Sequence, residues 1–122
     1  GGMGMQTAAT MAKIIHDSLD IVQKRFDMKL DDGSIAYYRF MVHLKFFAQH
    51  IVMSEMPRGS VGARDRQLHA TVVREYPDAY GCAEEIASRA ERAYGCSVPD
   101  DERLYLALHI ERVRKGAGSL GR

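Results

Sequence analysis

Apolar residues recur at steps of three and four along most of this chain, and no other feature constrains its fold as strongly. In the first periodic segment the spacing is carried by Ile14, Ile15, Leu19, Val22 and Phe26. Such spacing places apolar side chains on one face of an α-helix. Strand signals are nearly absent, because no sustained alternation occurs and no Asn-Gly or Asp-Gly turn lies between β-branched runs. The sequence therefore predicts an all-α fold.

Breaks in this periodicity divide the chain into about five predicted helices that form a compact bundle. Ser34 or Asp32 is expected to cap the second helix, and Gly95 is expected to end the fourth. Ser97, followed by a proline and three acids, predicts the start of the fifth. The first four predicted helices cover about residues 6–28, 35–56, 64–75 and 77–94, and the fifth follows Ser97 to about residue 115.

Charge and length limit the classes of partner. The 122 residues carry 17 basic and 16 acidic side chains, for a net charge of +1, and both signs are mixed along the chain. This distribution offers no basic footprint for nucleic acid and no polybasic run for a membrane surface. If the protein acts on RNA or DNA, we expect another domain of a longer chain to make the contact.

The sequence also predicts where the domain lies and where it works. Residues 10–115 are expected to form one domain, between a flexible N-terminus at 1–9, which opens like a cloning remnant, and a glycine-rich flexible tail at 116–122. Residues 57–62 have the composition of a loop. Cys82 and Cys96 flank one predicted helix and would lie roughly 20 Å apart, too far for a disulfide. Reduced thiols, with no membrane span and no signal peptide, favour a cytoplasmic location.

Histidines lie at the margins of two apolar faces. At about 100° per residue, Arg39, His43 and His50 share one narrow stripe of the second predicted helix. On the fifth, His109 lies just off the core row, with Arg112 nearby. Periodicity alone favours a half-buried, hydrogen-bonded structural histidine at both His43 and His109.

Metal ligands and catalytic groups do not occur at the spacings that they need. His43 and His50 are seven residues apart, too far for one ion without a third element, and neither a His-Glu-x-x-His nor a Cys-x-x-Cys motif is present. The sequence also lacks a Gly-x-Ser-x-Gly motif, and the glycines near residue 60 lack the lysine of a phosphate-binding loop. We therefore predict no metal, no cofactor and no enzymatic activity.

Two stretches resemble the histidine motifs of PTS regulation domains, which occur in BglG/SacY-type transcriptional antiterminators and related sugar-operon activators. They are RFMVHLKFFAQHI at residues 39–51 and DDERLYLALHIERV at residues 100–113, and residues 76–95 resemble the family's fourth helix. The resemblance spans about residues 10–115. It implies a five-helix bundle, in agreement with the helices predicted above.

The resemblance implies a role for both histidines. His43 and His109 match the positions that accept phosphate from the phosphotransferase system, either from HPr or from a sugar-specific EII component. Arg39 and Arg112 are expected to support the phosphate. The resemblance further implies a homodimer, in a protein whose RNA-binding domain precedes two such domains. Because Val42 stands where the first of the two domains typically has aspartate, the chain is most similar to the second.

His50 departs from the family pattern, which usually has arginine at this position. Arginine offers a fork of donors to a phosphoryl group, whereas histidine offers a weaker, pH-dependent contact, so the departure alters how a phosphate is supported. Two alternatives stay open: a domain of a DNA-binding activator, and a degenerate dimerisation module without phospho-regulation. A helical domain that binds nucleic acid directly is a third, weaker one.

Overall fold

A computed structural model describes residues 2–56 and 63–120, and in these ranges it contains five helices and no strand. The all-α prediction is therefore confirmed. The loop predicted at 57–62 lies outside the described residues. In chain order the helices are α1 (Gly2–Arg25), α2 (Ile35–Val52), α3 (Ala63–Glu75), α4 (Pro77–Tyr94) and α5 (Asp100–Leu120).

Two of the predicted helix signals are confirmed in atomic detail. The Ser34 hydroxyl accepts a hydrogen bond from the backbone N–H of Tyr37 at 3.0 Å, so Ser34 caps α2. Gly95 adopts a left-handed φ of 66° after α4, and its N–H donates to the Glu91 carbonyl at 3.0 Å. Glycine adopts this conformation without the steric cost that a Cβ brings.

The predicted ends of the first two helices are wrong by a few residues. Helix α1 ends at Arg25 rather than near residue 28, because Asp27 adopts a φ of 48°. Helix α2 ends at Val52 rather than near residue 56, because Ser54 adopts a φ of 55°. A left-handed residue cannot continue a right-handed helix. The apolar spacing continues past both points, which is why periodicity alone placed the ends too late.

Helical backbone also extends further at both termini than the sequence predicted. Residues 2–5 belong to α1 and residues 116–120 to α5, where the sequence predicted no helix. Ser97 lies three residues before α5 rather than at its first turn, since the first helical hydrogen bond runs from the Arg103 N–H to the Pro99 carbonyl. The domain limits at 10 and 115 stay a prediction.

The core forms where the apolar faces of α1, α2, α4 and α5 meet. Helix α4 presents Ala79, Ala83, Ala87 and Ala90 at helical spacing, and these small side chains allow α5 to pack closely along it. Each large apolar side chain removed from water contributes roughly 1.5–3 kcal/mol. The largest fully buried side chains are Phe40, Leu44, Phe47, Leu104, Leu106, Ile110, Val22, Val72, Val113 and Cys82.

The two cysteines agree with the prediction made for them. Cys82 and Cys96 are free, as predicted, and burial raises the pKa of the Cys82 thiol to about 12. Such a thiol is a poor nucleophile at neutral pH. Among the described helices none is both long enough and apolar enough to cross a membrane.

A half-buried arginine fixes the start of α5 against α4. Arg103, whose side chain is 12% exposed, contacts Glu84 at 3.0 Å and Glu91 at 2.9 Å, and its Nε donates to the Val98 carbonyl at 3.1 Å. The second oxygen of Glu91 accepts the Val98 N–H at 2.9 Å, and this bond, with Arg103, holds the pKa of Glu91 below its ordinary value. The network therefore sets the position of the first turn of α5.

We expect Arg103→Met to lower the free energy of unfolding by about 2 kcal/mol, because it leaves Glu91 and a backbone carbonyl without their partner. Urea denaturation followed by circular dichroism measures this loss. Arg89→Met is the matched control, since Arg89 is exposed on α4. Equal losses in the two variants would contradict the structural role given to Arg103.

Candidate functional site

His43 and His109 meet where α2 packs against α5. Their ring centroids are 4.8 Å apart and their planes are inclined by 33°. The buried ring of Phe40, one turn before His43, lies 6.4 Å from the ring of His109 and nearly parallel to it. The core packing of α2 and α5 therefore places two distant residues of the sequence on one surface.

Glu102, from the first turn of α5, completes this cluster. Its Oε1 lies 2.7 Å from Nε2 of His43, and the two side chains are 16% and 21% exposed. The backbone N–H of Glu102 is in turn held by the carboxylate of Asp101 at 3.0 Å. The hydrogen-bonded, half-buried histidine that periodicity predicted is thus confirmed at His43.

Glu102 was missed as a site residue by the sequence prediction, which read it only as one of three acids that favour the start of a helix. A signal for it was present, because Glu102 precedes His109 by seven residues. Seven residues are two turns of an α-helix and place both side chains on the same stripe. No spacing signal indicates that His43 is the partner of Glu102, since His43 lies on another helix.

His109 is held as a neutral base. Burial is the main cause that lowers its pKa to about 4, and the positive charges of a protonated His43, of Arg112 and of Arg39 lower it further. Glu102 acts in the opposite direction. At neutral pH the ring of His109 therefore carries an unprotonated nitrogen, as a nucleophile requires.

Arg39 and Arg112 lie at the edge of the cluster. Both side chains are exposed, and both act on His109 through their positive charge. Neither guanidinium forms an ion pair with a carboxylate of the described residues. The two arginines predicted to support a phosphate are therefore close enough to influence the site electrostatically and are not engaged elsewhere in the described chain.

His50 is not brought to this cluster. It lies two turns, or about 10 Å of helix, beyond His43. Its ring faces Phe46 at a centroid distance of 6.5 Å, and it lines a cleft together with Tyr94, Gly95 and Cys96. Its Nδ1 is buried without a hydrogen-bond partner. The role of His50 in supporting a phosphate stays a prediction.

The arrangement offers the parts needed to accept a phosphoryl group. It contains two imidazole rings, one of them neutral, one carboxylate that binds a ring nitrogen, and two exposed cations. Phosphate groups are bound well by arginine, whose fork of donors matches their oxygens. Three or more histidine, cysteine or acidic side chains in metal-binding proximity are not found among the residues that the structure describes.

The chain is similar in sequence to one protein family and to several characterised proteins. The family model described as PRD domain matches residues 16–113. Transcription antiterminator LicT of Bacillus subtilis (strain 168) is 37% identical over 113 residues, which cover 93% of this chain and 39% of LicT. The Beta-glucoside operon antiterminator of Dickeya chrysanthemi is 34% identical over 110 residues, which cover 90% of this chain and 38% of that protein.

A third relative is less similar to this chain. Protein GlcT of Staphylococcus haemolyticus (strain JCSC1435) is 29% identical over 98 residues, which cover 80% of this chain and 33% of GlcT. The chain therefore spans between 33% and 39% of the lengths of these three curated relatives. LicT is named a transcription antiterminator, and the Dickeya chrysanthemi protein is named a β-glucoside operon antiterminator.

The neutral state of His109 makes the stability of the fold depend on pH. Its pKa falls from 6.5 to about 4 in the folded chain, so the unfolded chain binds more protons between these values. Stability therefore falls as the pH falls from about 6.5 towards 4. On acidification, we expect the free energy of unfolding to fall by about 1–2 kcal/mol less in His109→Gln than in the parent chain. This figure allows for the partial exposure of the ring.

Urea denaturation at pH 7 and at pH 4.5 tests this expectation. His16→Gln is the control, because His16 is exposed on α1 and lies outside the cluster. We expect the control to keep the pH dependence of the parent chain. If His109→Gln showed the same pH dependence as the parent chain, His109 would not be the cause of the loss of stability on acidification.

Proposed function

This chain belongs to the PRD domain family, and from that premise we propose that it is the regulatory domain of a bacterial transcriptional antiterminator of sugar-utilisation genes. In this proposal His43 and His109 accept phosphate from the phosphotransferase system. The observation that carries the proposal is their pairing, with ring centroids 4.8 Å apart, at the two positions where the motifs resemble phosphate-accepting histidines. The similarity to LicT and to the β-glucoside operon antiterminator favours antitermination over a DNA-binding activator.

The phosphoryl donor in this proposal is HPr or a sugar-specific EII component. The donor supplies the chemistry, so the domain needs no catalytic activity of its own. It acts in the cytoplasm, and contact with RNA is made by another domain of the full-length protein. Val42, which replaces the aspartate typical of the first domain, supports an assignment as the second of two such domains.

Phosphate acts on this site through charge. A phosphoryl group adds about −1.5 to −2 charges and several acceptor oxygens. It would bring charged oxygens that need water to a half-buried surface between α2 and the start of α5, so the packing of these two helices would weaken. Arg39 and Arg112 would be drawn towards the new anion. Such a shift in packing is a means of passing a local charge change to the rest of a protein.

We propose that the domain works as a homodimer. Helix α2 exposes apolar side chains on a helical stripe, including Ile35 at 71% and Phe46 at 56% exposure. Beside the stripe, Met11 and Ile15 of α1 line a shallow apolar groove with Phe46. Contiguous apolar surface of this kind marks interaction sites. Because the stripe and His43 lie on the same helix, a change at the histidines can reach the interface.

The proposed function predicts phosphohistidine at two positions. Incubation with phosphoenolpyruvate, enzyme I and HPr, or with a sugar-specific EII component, is expected to place phosphate on His43 and His109. Mass spectrometry under conditions that spare the acid-labile N–P bond locates the group. The combined His43→Asn and His109→Asn variant should lose incorporation, whereas His50→Asn should keep it. Absence of phosphate from both positions with either donor would contradict the proposal.

A sedimentation measurement on the same samples separates regulation from a purely structural role. The proposal predicts that phosphorylation changes the dissociation constant of the dimer. A dimer that forms equally well with and without phosphate on these histidines would favour the degenerate dimerisation module.

A further inference from the structure

The two ring nitrogens of His43 lie in different chemical settings. Nε2 is 2.7 Å from a carboxylate oxygen of Glu102, and Nδ1 makes no hydrogen bond with the described part of the chain. An ionised carboxylate accepts hydrogen bonds and cannot donate them. Nε2 of His43 must therefore carry the proton of the neutral ring, and Nδ1 keeps the lone pair.

We propose that Glu102 is a positioning residue that selects Nδ1 of His43 as the atom that accepts the phosphoryl group. This inference rests on the proposed function, because it requires that His43 is an acceptor. It adds which nitrogen of His43 accepts the phosphoryl group, and it identifies Glu102 as the residue that determines this.

The contact is held in place on both sides of Glu102. Its backbone N–H is bound by Asp101, and the next residue, Arg103, is fixed by Glu84 and Glu91 of α4. The carboxylate is only 16% exposed, so water competes weakly for the hydrogen bond to His43. Preorganisation of this kind lets a carboxylate fix both the tautomer and the orientation of an imidazole.

Charge repulsion excludes the alternative nitrogen. A phosphoryl group on Nε2 would have to take the place now occupied by the Glu102 carboxylate, or lie in direct contact with it. Two like charges about 4 Å apart in a partly buried site repel each other strongly, because little water screens them. Attack from Nδ1 leaves the carboxylate on the far side of the ring from the incoming anion.

The transfer step follows from this geometry. The lone pair of Nδ1 of His43 forms a new N–P bond while the bond between the phosphorus and the donor protein's side chain breaks. The electron pair of the broken bond returns to the donor atom. The proton on Nε2 stays in the hydrogen bond to Glu102, whose negative charge balances the positive charge that develops on the ring.

His109 gives no corresponding prediction. No hydrogen bond from a described residue fixes its tautomer, and its neutral state follows from burial and from nearby positive charge. The choice of nitrogen is therefore assigned to His43 alone, as the ring that Glu102 contacts.

The tautomer of resting His43 can be measured without any phosphoryl donor. We expect ¹⁵N NMR correlation spectra of the 122-residue chain to show a protonated Nε2 and an unprotonated Nδ1 in the neutral ring. A proton on Nδ1 with a bare Nε2 would overturn the inference and leave the proposed function standing. Loss of the Nε2–H preference in Glu102→Gln, and its retention in Asp100→Asn, would support it. Asp100 is the matched control because it is an exposed acid of the same helical turn.

The phosphorylated chain supplies the second readout. We expect ³¹P and ¹⁵N spectra to place the phosphate of His43 on Nδ1. We expect Glu102→Gln to slow incorporation at His43 by about tenfold or more, the effect of losing one charge-assisted hydrogen bond, and Asp100→Asn to leave the rate unchanged. Phosphate on Nε2, or an unchanged rate in Glu102→Gln, would overturn the inference.

The two proposals fail in different ways. If neither His43 nor His109 takes up phosphate, the proposed function is wrong and the acceptor assignment fails with it. If phosphate reaches His43 through Nε2, the function stands and the role of Glu102 is wrong. Should Glu102→Gln not fold, as judged by circular dichroism, the tautomer and the phosphorylated nitrogen of the parent chain still decide the question.

Discussion

The hydrogen bond between Nε2 of His43 and Oε1 of Glu102, at 2.7 Å, is the interaction on which the site depends. It joins α2 to the first turn of α5, and both groups are mostly withdrawn from water. The core row of α2 fixes one partner, and the Arg103 network fixes the other. The two backbones are held independently, so the length of the hydrogen bond depends on their relative position. A change in the charge of the His43 ring therefore acts on both helices.

The site combines two properties that the sequence had presented as alternatives. Periodicity favoured a structural, hydrogen-bonded histidine, and the resemblance favoured a phosphate acceptor. A histidine has two ring nitrogens, so His43 can satisfy a structural contact with one and leave the other available for chemistry. His109 differs, because burial and surrounding positive charge keep it neutral without a hydrogen bond from a described residue.

Much of the fold could be predicted from the sequence, because apolar spacing and cap residues such as Ser34 and Gly95 act locally. The ends at Asp27 and Ser54 could not, since left-handed backbone at a non-glycine residue leaves no mark on the apolar pattern. The pairing of His43 with His109 required the family resemblance, because spacing within one helix says nothing about contacts between helices. The separation of His50 from the pair follows from helix geometry, which places it two turns beyond His43.

Amide hydrogen exchange on the fully phosphorylated chain, compared with the unmodified chain, tests the account most directly. The added negative charges need water and would lie on a half-buried surface between α2 and the start of α5, so the packing of these two helices should weaken. We predict faster exchange in residues 39–46 and 100–109 and unchanged exchange in α3, which serves as the internal reference. Exchange that is unchanged throughout α2 and α5 would contradict the claim that these histidines couple phosphate to the packing of the two helices.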